Sequence, residues 1–245
     1  MEWWEEFFDE VWLAGGFLGI GERSSAEKID YLWRQLRLKP GSRLADICCG
    51  IGRDALPLAE RGVEVTGVDF CQPYLDYAQK HSNNLPLRLV CADMRRTGLL
   101  GSSFDSVTSL GTSFGYFEDE AENERALAEM ARLLKPGGYL VMQLASRDGV
   151  LRNFRQKSFD NRGDWLVLEE GEFNYHTSRN KGHWVWIDST GKRYERDLSL
   201  RMYCLHELRA MGERHGLSLF TAHGNLAGEE LTNSHTHMLL TFIKD

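Results

Sequence analysis

Three carboxylates and a pair of glycines are placed to grip an adenosine-bearing cofactor. In "RLADICCGIGRDALPLAERG", Arg43 to Gly62, Asp46 lies inside an apolar run that ends at Cys48 and Cys49, and Gly50 and Gly52 follow. Gly50 to Ala55 satisfies the pattern G-x-G-x-x-A. Glycines in such a turn let backbone approach a ligand and free amide N–H groups at the start of a helix. Asp69 closes the next apolar run, and Asp93 follows the one after it, in "CADM". A carboxylate at the end of the second strand can accept from both hydroxyls of a ribose. Two chemistries fit these residues. A nicotinamide or flavin dinucleotide would rest its pyrophosphate on the turn, whereas S-adenosylmethionine would lay its amino-acid part there.

Further residues separate the two. Asp46 immediately precedes the turn, where it would repel a pyrophosphate but complement an ammonium. Asp93 can accept from the exocyclic amine of adenine while Met94 packs on the ring. The stretch "LLKPGGYLVM", Leu133 to Met142, joins a long helix to a further strand.

The elements that carry these residues alternate. Strands are expected at Leu44–Cys48, Val63–Asp69, Leu87–Ala92, Phe104–Leu110 and Tyr139–Ala145, with helices at Asp54–Arg61, Pro73–Ser82 and Asp119–Leu134. Short, apolar strands between helices indicate a parallel sheet covered on both faces. Two helices precede them. Residues 1–16 carry Trp3, Trp4, Phe7, Phe8, Val11 and Trp12 at helical spacing, and Ser25–Leu38 stops at Lys39-Pro40-Gly41. From Phe159 to Tyr203 the period changes to two, in "WLVLEEGEFNY", "GHWVWI" and "KRYERDLSLRMY". That predicts a three-stranded antiparallel insertion. A helix at His206–His215 and two closing strands, "LSLFTAH" and "THMLLTFI", complete the main sheet.

With these pieces in order, the chain resembles the class I S-adenosylmethionine-dependent methyltransferases. The matching stretches are "LADICCGIGRDAL", "VEVTGVDF", "CADM", "FDSVTSLGTSFGYF" and "MARLLKPGGYLVM", which together cover Leu44 to Ala145. The resemblance implies a Rossmann-like, doubly wound sheet of seven strands with the last antiparallel. It implies methyl transfer from S-adenosylmethionine, leaving S-adenosylhomocysteine. Asp46 and the glycine turn would hold the methionine portion, Asp69 the ribose and Asp93 the adenine. The expected cofactor set is Asp46, Cys48, Cys49, Gly50, Gly52, Asp69, Phe70, Ala92, Asp93, Met94 and Leu110. "SFGYF" and the β-rich insertion look like the branch that methylates small molecules, including amino sugars and amines. The family turn is usually D-x-G-x-G-x-G, and its first glycine is Cys48 here. A cysteine with positive φ would be strained, so a β-region φ is expected at Cys48. Cys49 is expected to pack inward.

Three units are expected: a helical cover over residues 1–40, a core of 41–158 and 204–245, and the insertion at 159–203. Of the seven Trp, six (3, 4, 12, 165, 184 and 186) lie in the N-terminal helix or the insertion. Aromatic walls suit a flat, apolar or amine substrate, although such stripes also serve plain packing. Trp12, Phe114, Tyr116, Trp184 and Trp186 are the expected substrate contacts. Tyr116, in the loop after the fourth strand, and His176 and His183, in the insertion, are the candidates to accept a proton.

Composition narrows the partners. Net charge is −7, which argues against tight nucleic-acid binding. The acidic start "MEWWEEFFDE" lacks a basic, apolar leader, and no run approaches a membrane span. Five cysteines with no C-x-x-C pair read as reduced thiols in a cytoplasmic protein. His235 and His237, with His223, lack a nearby acid or Cys in sequence, so no metal site is expected. A small-molecule N- or O-methyltransferase is the leading expectation, and a homodimer is compatible with it. A protein or RNA methyltransferase, a nicotinamide-dependent oxidoreductase and a non-catalytic cofactor-binding module are the alternatives.

Overall fold

A computed structural model describes residues 2–18, 21 and 23–245, with backbone only for Phe17. In chain order the strands are β1 (Arg43–Ile47), β2 (Glu64–Asp69), β3 (Leu87–Cys91), β4 (Phe104–Ser109), β5 (Leu134–Ala145), β6 (Lys157–Arg162), β7 (Trp165–Asn174), β8 (Arg179–Ile187), β9 (Arg193–Arg201), β10 (Leu217–His223) and β11 (His237–Lys244). The α-helices are α1 (Trp3–Phe7), α2 (Ala26–Gln35), α3 (Ala55–Glu60), α4 (Gln72–Lys80), α5 (Glu120–Leu133), α6 (Arg147–Arg152) and α7 (Leu205–Arg214). A π-helical segment, Trp12–Leu18, lies between α1 and α2.

Seven strands form one sheet in the order β10-β11-β5-β4-β1-β2-β3. β11 enters between β10 and β5, antiparallel to both. The sheet is buried on both faces, as the strand residues dictate. Along β5 and β11, Leu140, Met142 and Leu240 pack toward α5 and α7, while Val141 and Leu239 pack toward α2 and α3. Period-two alternation gives each side its own core. β1 pairs with β2 on one side and β4 on the other. The strand order reverses there, and a crevice opens at the carboxyl ends.

The second sheet is antiparallel, β6-β7-β8-β9, so it has four strands rather than the three expected. The additional β6, "KSFDNR", is an edge strand exposed along nearly its whole length. A strand with neither face buried leaves no apolar alternation to read. β9 reaches the loop after β4, where the Arg201 amide donates to the Gly115 carbonyl at 2.8 Å.

The N-terminus also departs from a single helix, residue 1 lying outside the described residues. The Asp9 side chain accepts from the amides of Val11 (2.9 Å) and Trp12 (3.0 Å). A side chain that bonds local backbone in this way competes with the helix ladder and starts a new turn. Gly15 and Gly16 then let the wider segment lie flat on indoles. A Cβ on Gly15 would fall 2.8 Å from the Trp186 ring, and one on Gly16 2.8 Å from Trp12.

α6 begins at a Ser146 cap and packs against the chain just before β11, where the Ser146 amide donates to Thr236 O at 2.9 Å. A Cβ on Gly149 would lie 1.8 Å from the His235 carbonyl oxygen, a backbone atom that cannot rotate away. Gly149→Ala is therefore expected to cost about 3 kcal/mol. It should lower the melting temperature by roughly 6–12 °C for a chain of this size, and an unchanged thermal melt would show that the two segments do not touch.

Candidate active site

The site begins where β1 ends. Cys48 has φ +61°, and Gly50 and Gly52 have φ +54° and +79°. Cys48 thus occupies the left-handed region, not the β region expected. Its chain must reverse between β1 and the helix start, and that conformation holds whether or not the residue is glycine. The Cys48 thiol packs 3.7 Å from the Met94 sulfur. Cys49 packs inward against Gly67 of β2, where a Cβ would fall 2.8 Å from its sulfur.

Asp69 pins this turn. Its carboxylate accepts from the Gly50 amide at 2.8 Å and from the Cys71 amide at 3.0 Å. Burial pushes its pKa up to about 6, against the opposing effect of the backbone amides. Asp46 lies on the Leu44 face of β1, beneath α2. Thr108 Oγ1 donates to it at 2.7 Å. Burial raises its pKa to about 7, helped by nearby Asp54 and opposed by Thr108 and Lys28. Lys28 pairs with Asp54 at 2.9 Å. Asp54 Oδ1 and Arg53 Nε are buried without a hydrogen-bond partner among the described residues. Orphaned polar atoms of both signs at one strand end call for a ligand that carries both.

Asp93 is held differently. Arg95 Nε reaches both its oxygens at 3.0 Å, and Arg95 also pairs with Glu122. Burial would raise this carboxyl, but the Arg95 hydrogen bonds and charge outweigh it and hold Asp93 below the usual range. The Arg95 guanidinium in turn lies 4.3 Å from the centre of the Phe117 ring.

These groups share one cavity of about 360 Å³. Asp46, Cys48, Cys49, Asp69, Phe70, Ala92, Asp93, Met94 and Leu110 all line it. Gly50 and Gly52 shape the turn from behind. Its far wall is made by Phe7, Phe8 and Trp12 of the N-terminal segment and by Trp184, Leu198 and Leu200 of the second sheet. Ring centres lie 4.9 Å apart for Phe7 and Trp12, and 5.7 Å for Trp12 and Trp184. Arg196 of β9 pairs with Asp9 and donates to Glu6 O at 2.9 Å, while Tyr74 donates to Asp9 O at 3.1 Å. The aromatic segment is thereby tied down on two sides.

Tyr116 lines the cavity, fixed through its carbonyl by the Trp3 indole at 2.9 Å. Burial drives its pKa far above the ordinary value, with Cys48 and Asp69 adding to the effect. It is therefore a phenol, able to donate or accept a hydrogen bond.

Four expected contacts lie elsewhere. His183 points to the opposite face of β8 from Trp184 and Trp186, as period two requires. There it bonds Asp197 at 2.8 Å and Glu195 at 3.1 Å, and borders a separate groove. His176 sits in the exposed turn between β7 and β8. Phe114 is buried against Tyr203, with ring centres 5.4 Å apart. Trp186 stands behind Trp184, 1% exposed. Sequence reasoning in turn missed Lys28, Arg53, Asp54, Phe7, Phe8, Thr112, Leu198 and Leu200 as cavity residues. Arg53 and Asp54 belong to the glycine turn itself, and Leu198 and Leu200 share a period-two face. Those signals were available; the convergence of Lys28 on Asp54 was not.

A family profile described as a methyltransferase domain matches residues 44–138. The glycine N-methyltransferase of Rattus norvegicus is 29% identical over 71% of this chain and 64% of that enzyme, less than two thirds of its length. A solved S-adenosylmethionine-dependent methyltransferase of Clostridium acetobutylicum superposes with a TM-score of 0.80 at 16% identity, covering 98% of this chain and 97% of that one. Residues 44–138 thus carry a methyltransferase domain, and the chain is of the S-adenosylmethionine-dependent methyltransferase kind. CalS10, an amino pentose methyltransferase of Micromonospora echinaspora, shares the fold at a TM-score of 0.70 and 23% identity, over 97% of this chain and 98% of its own.

In this methyltransferase the left-handed Cys48 has a measurable consequence. A side chain there costs about 1–2 kcal/mol, and a β-branched one more. Cys48→Gly should melt at or above the wild type, and Cys48→Val clearly below it. Equal melting temperatures for all three would contradict the observed backbone.

Proposed function

We propose that this methyltransferase transfers the methyl group of S-adenosylmethionine to a nitrogen or oxygen of a small molecule. The observation that carries this reading is the two-sided, partly covered cavity. Carboxylates and cations meet at the strand ends on one side, and an aromatic roof tied down by Arg196 closes the other. A volume of about 360 Å³ under that roof suits a cofactor and a small acceptor, not a polymer. The rat relative is named for glycine and CalS10 for an amino pentose, both small molecules.

The residues present fit the cofactor. Asp46 and Asp54 suit the ammonium of its methionine part, and Arg53 and Lys28 its carboxylate, which would satisfy the orphaned Arg53 Nε and Asp54 Oδ1. Asp69 keeps lone pairs free for the ribose hydroxyls after serving Gly50 and Cys71. Asp93, held ionised by Arg95, suits the adenine amine, with Met94 against the ring. When bound, the cofactor would supply an electrophilic methyl on a sulfonium: the acceptor lone pair forms the new bond to the methyl carbon as the carbon–sulfur bond breaks, S-adenosylhomocysteine leaves as a neutral thioether, and the acceptor's proton passes to solvent water. Protein groups then have to align the acceptor and exclude water. Trp12 and Trp184 do the second, and the Tyr116 phenol orients the acceptor heteroatom by a hydrogen bond. The test is incubation of the protein and methyl-labelled cofactor with a metabolite extract, and separately with extracted protein and RNA. Label is expected in a small product, and label confined to polymer would overturn the proposal.

The raised carboxyls at Asp46 and Asp69 add a pH dependence. The folded chain keeps protons up to pH 6–7 that the unfolded chain releases near pH 3.8. Stability from these groups is therefore full below the lower value and lost as pH rises through the upper ones. A cofactor ammonium beside Asp46 favours the ionised form and offsets that loss. The melting-temperature gain from S-adenosylmethionine is expected to grow between about pH 5 and pH 8, and Asp46→Asn to flatten the trend. A gain independent of pH in the wild type would contradict the role given to Asp46.

A further inference from the structure

The cavity is divided electrically. Among the described residues, the charged side chains on its wall are Lys28, Asp46, Arg53, Asp54, Asp69 and Asp93. All come from α2 or from the carboxyl ends of β1 to β3. The remaining wall comes from the N-terminal segment, the loop after β4 and the second sheet. It presents indoles, phenyl rings, two leucines and the hydroxyls of Thr112, Ser113 and Tyr116, and no charged group among the described residues. Nearby charges are already engaged. Asp9 and Arg196 neutralise each other, and the Ser113 hydroxyl donates to Leu110 O at 2.7 Å.

This division selects by charge. A carboxylate or phosphate buried on the aromatic side would lose its hydration and gain no cation in exchange, a strongly unfavourable arrangement. A cationic acceptor meets a different obstacle. Indole rings can bind cations, but Arg162 already lies 5.3 Å from the Trp184 ring centre and 5.4 Å from that of Trp186. Arg162, itself paired with Asp160 and Glu169, takes that indole contact, and a second cation would be repelled by the sulfonium it has to approach. A neutral ring escapes both penalties and gains the full area of the indole walls. Burial also favours the neutral form of an amine, the form with the free lone pair.

Resting on the methyltransferase reading above, we propose that the acceptor is an uncharged, ring-bearing molecule that presents one hydroxyl or neutral amine. Its apolar body lies against Trp12 and Trp184, and its heteroatom meets the hydroxyls of Tyr116 and Thr112. Amino acids, sugar phosphates and carboxylated rings are rejected by the lack of a counter-charge, not by size.

Calorimetry with matched probes tests this in two stages. Titration with S-adenosylhomocysteine comes first, and absence of binding there defeats the methyltransferase reading itself. The loaded protein is then titrated with naphthol, hydroxynaphthoate and naphthylmethylammonium, which share one ring system and differ in charge. Naphthol is expected to bind at least about tenfold more tightly than either charged probe. Trp184→Phe should weaken naphthol about three- to tenfold and leave S-adenosylhomocysteine affinity within about twofold. Trp184→Phe keeps an aromatic ring and so avoids the collapse that Trp184→Ala could cause. A charged probe that binds as well as naphthol, no naphthol binding to the loaded protein, or naphthol binding untouched by Trp184→Phe would each overturn the proposal.

Discussion

One carboxylate, that of Asp69, joins two backbone turns. It accepts from Gly50 after β1 and from Cys71 after β2. The first bond fixes the left-handed path through Cys48, and the second sets the entrance to α4. Asp46 and the orphaned atoms of Arg53 and Asp54 flank the same turn, so their placement depends on that path. The group is buried and raised in pKa, yet two amides reward its ionised form. The crevice at the strand reversal is thus shaped before any ligand arrives.

The second half of the site is built by another kind of force. Aromatic residues from two distant segments, the N-terminus and β8, meet edge to face or tilted across the crevice. Gly15 and Gly16 permit this because a side chain at either would strike an indole. Polar and apolar walls therefore come from different parts of the chain. The strand ends of the main sheet, with Lys28 of α2, supply the charged wall, and the N-terminal segment, the loop after β4 and the second sheet supply the aromatic one. That separation gives the cavity one charged and one aromatic side.

The charged half of the cavity was largely legible in the sequence, because Asp46, Asp69 and Asp93 sit at strand ends and strand ends follow from the apolar runs. The backbone angle at Cys48 was not legible, since it is imposed by the turn and not by the residue that fills it. Period two put His183 on the face opposite Trp184 once the strand was known, so choosing both for one site was inconsistent from the start. Edge strand β6 left no signal because neither of its faces is buried. Lys28 became a site residue only through the packing of α2 on β1, a contact between segments that no local pattern encodes.

The tie between Arg196 and Asp9 answers to the medium as well as to the fold. Both side chains are just over a quarter exposed, so dissolved salt screens the attraction between them. Other polar bonds across the aromatic roof, from the Trp3 indole to Tyr116 O and from the Tyr74 hydroxyl to Asp9 O, join neutral groups. The ionic part of the hold on the roof therefore weakens as ionic strength rises, leaving the neutral bonds and the fit of the rings. The aromatic side of the cavity is thus held in place partly by a salt-sensitive contact, although the wall it presents carries no charged group among the described residues.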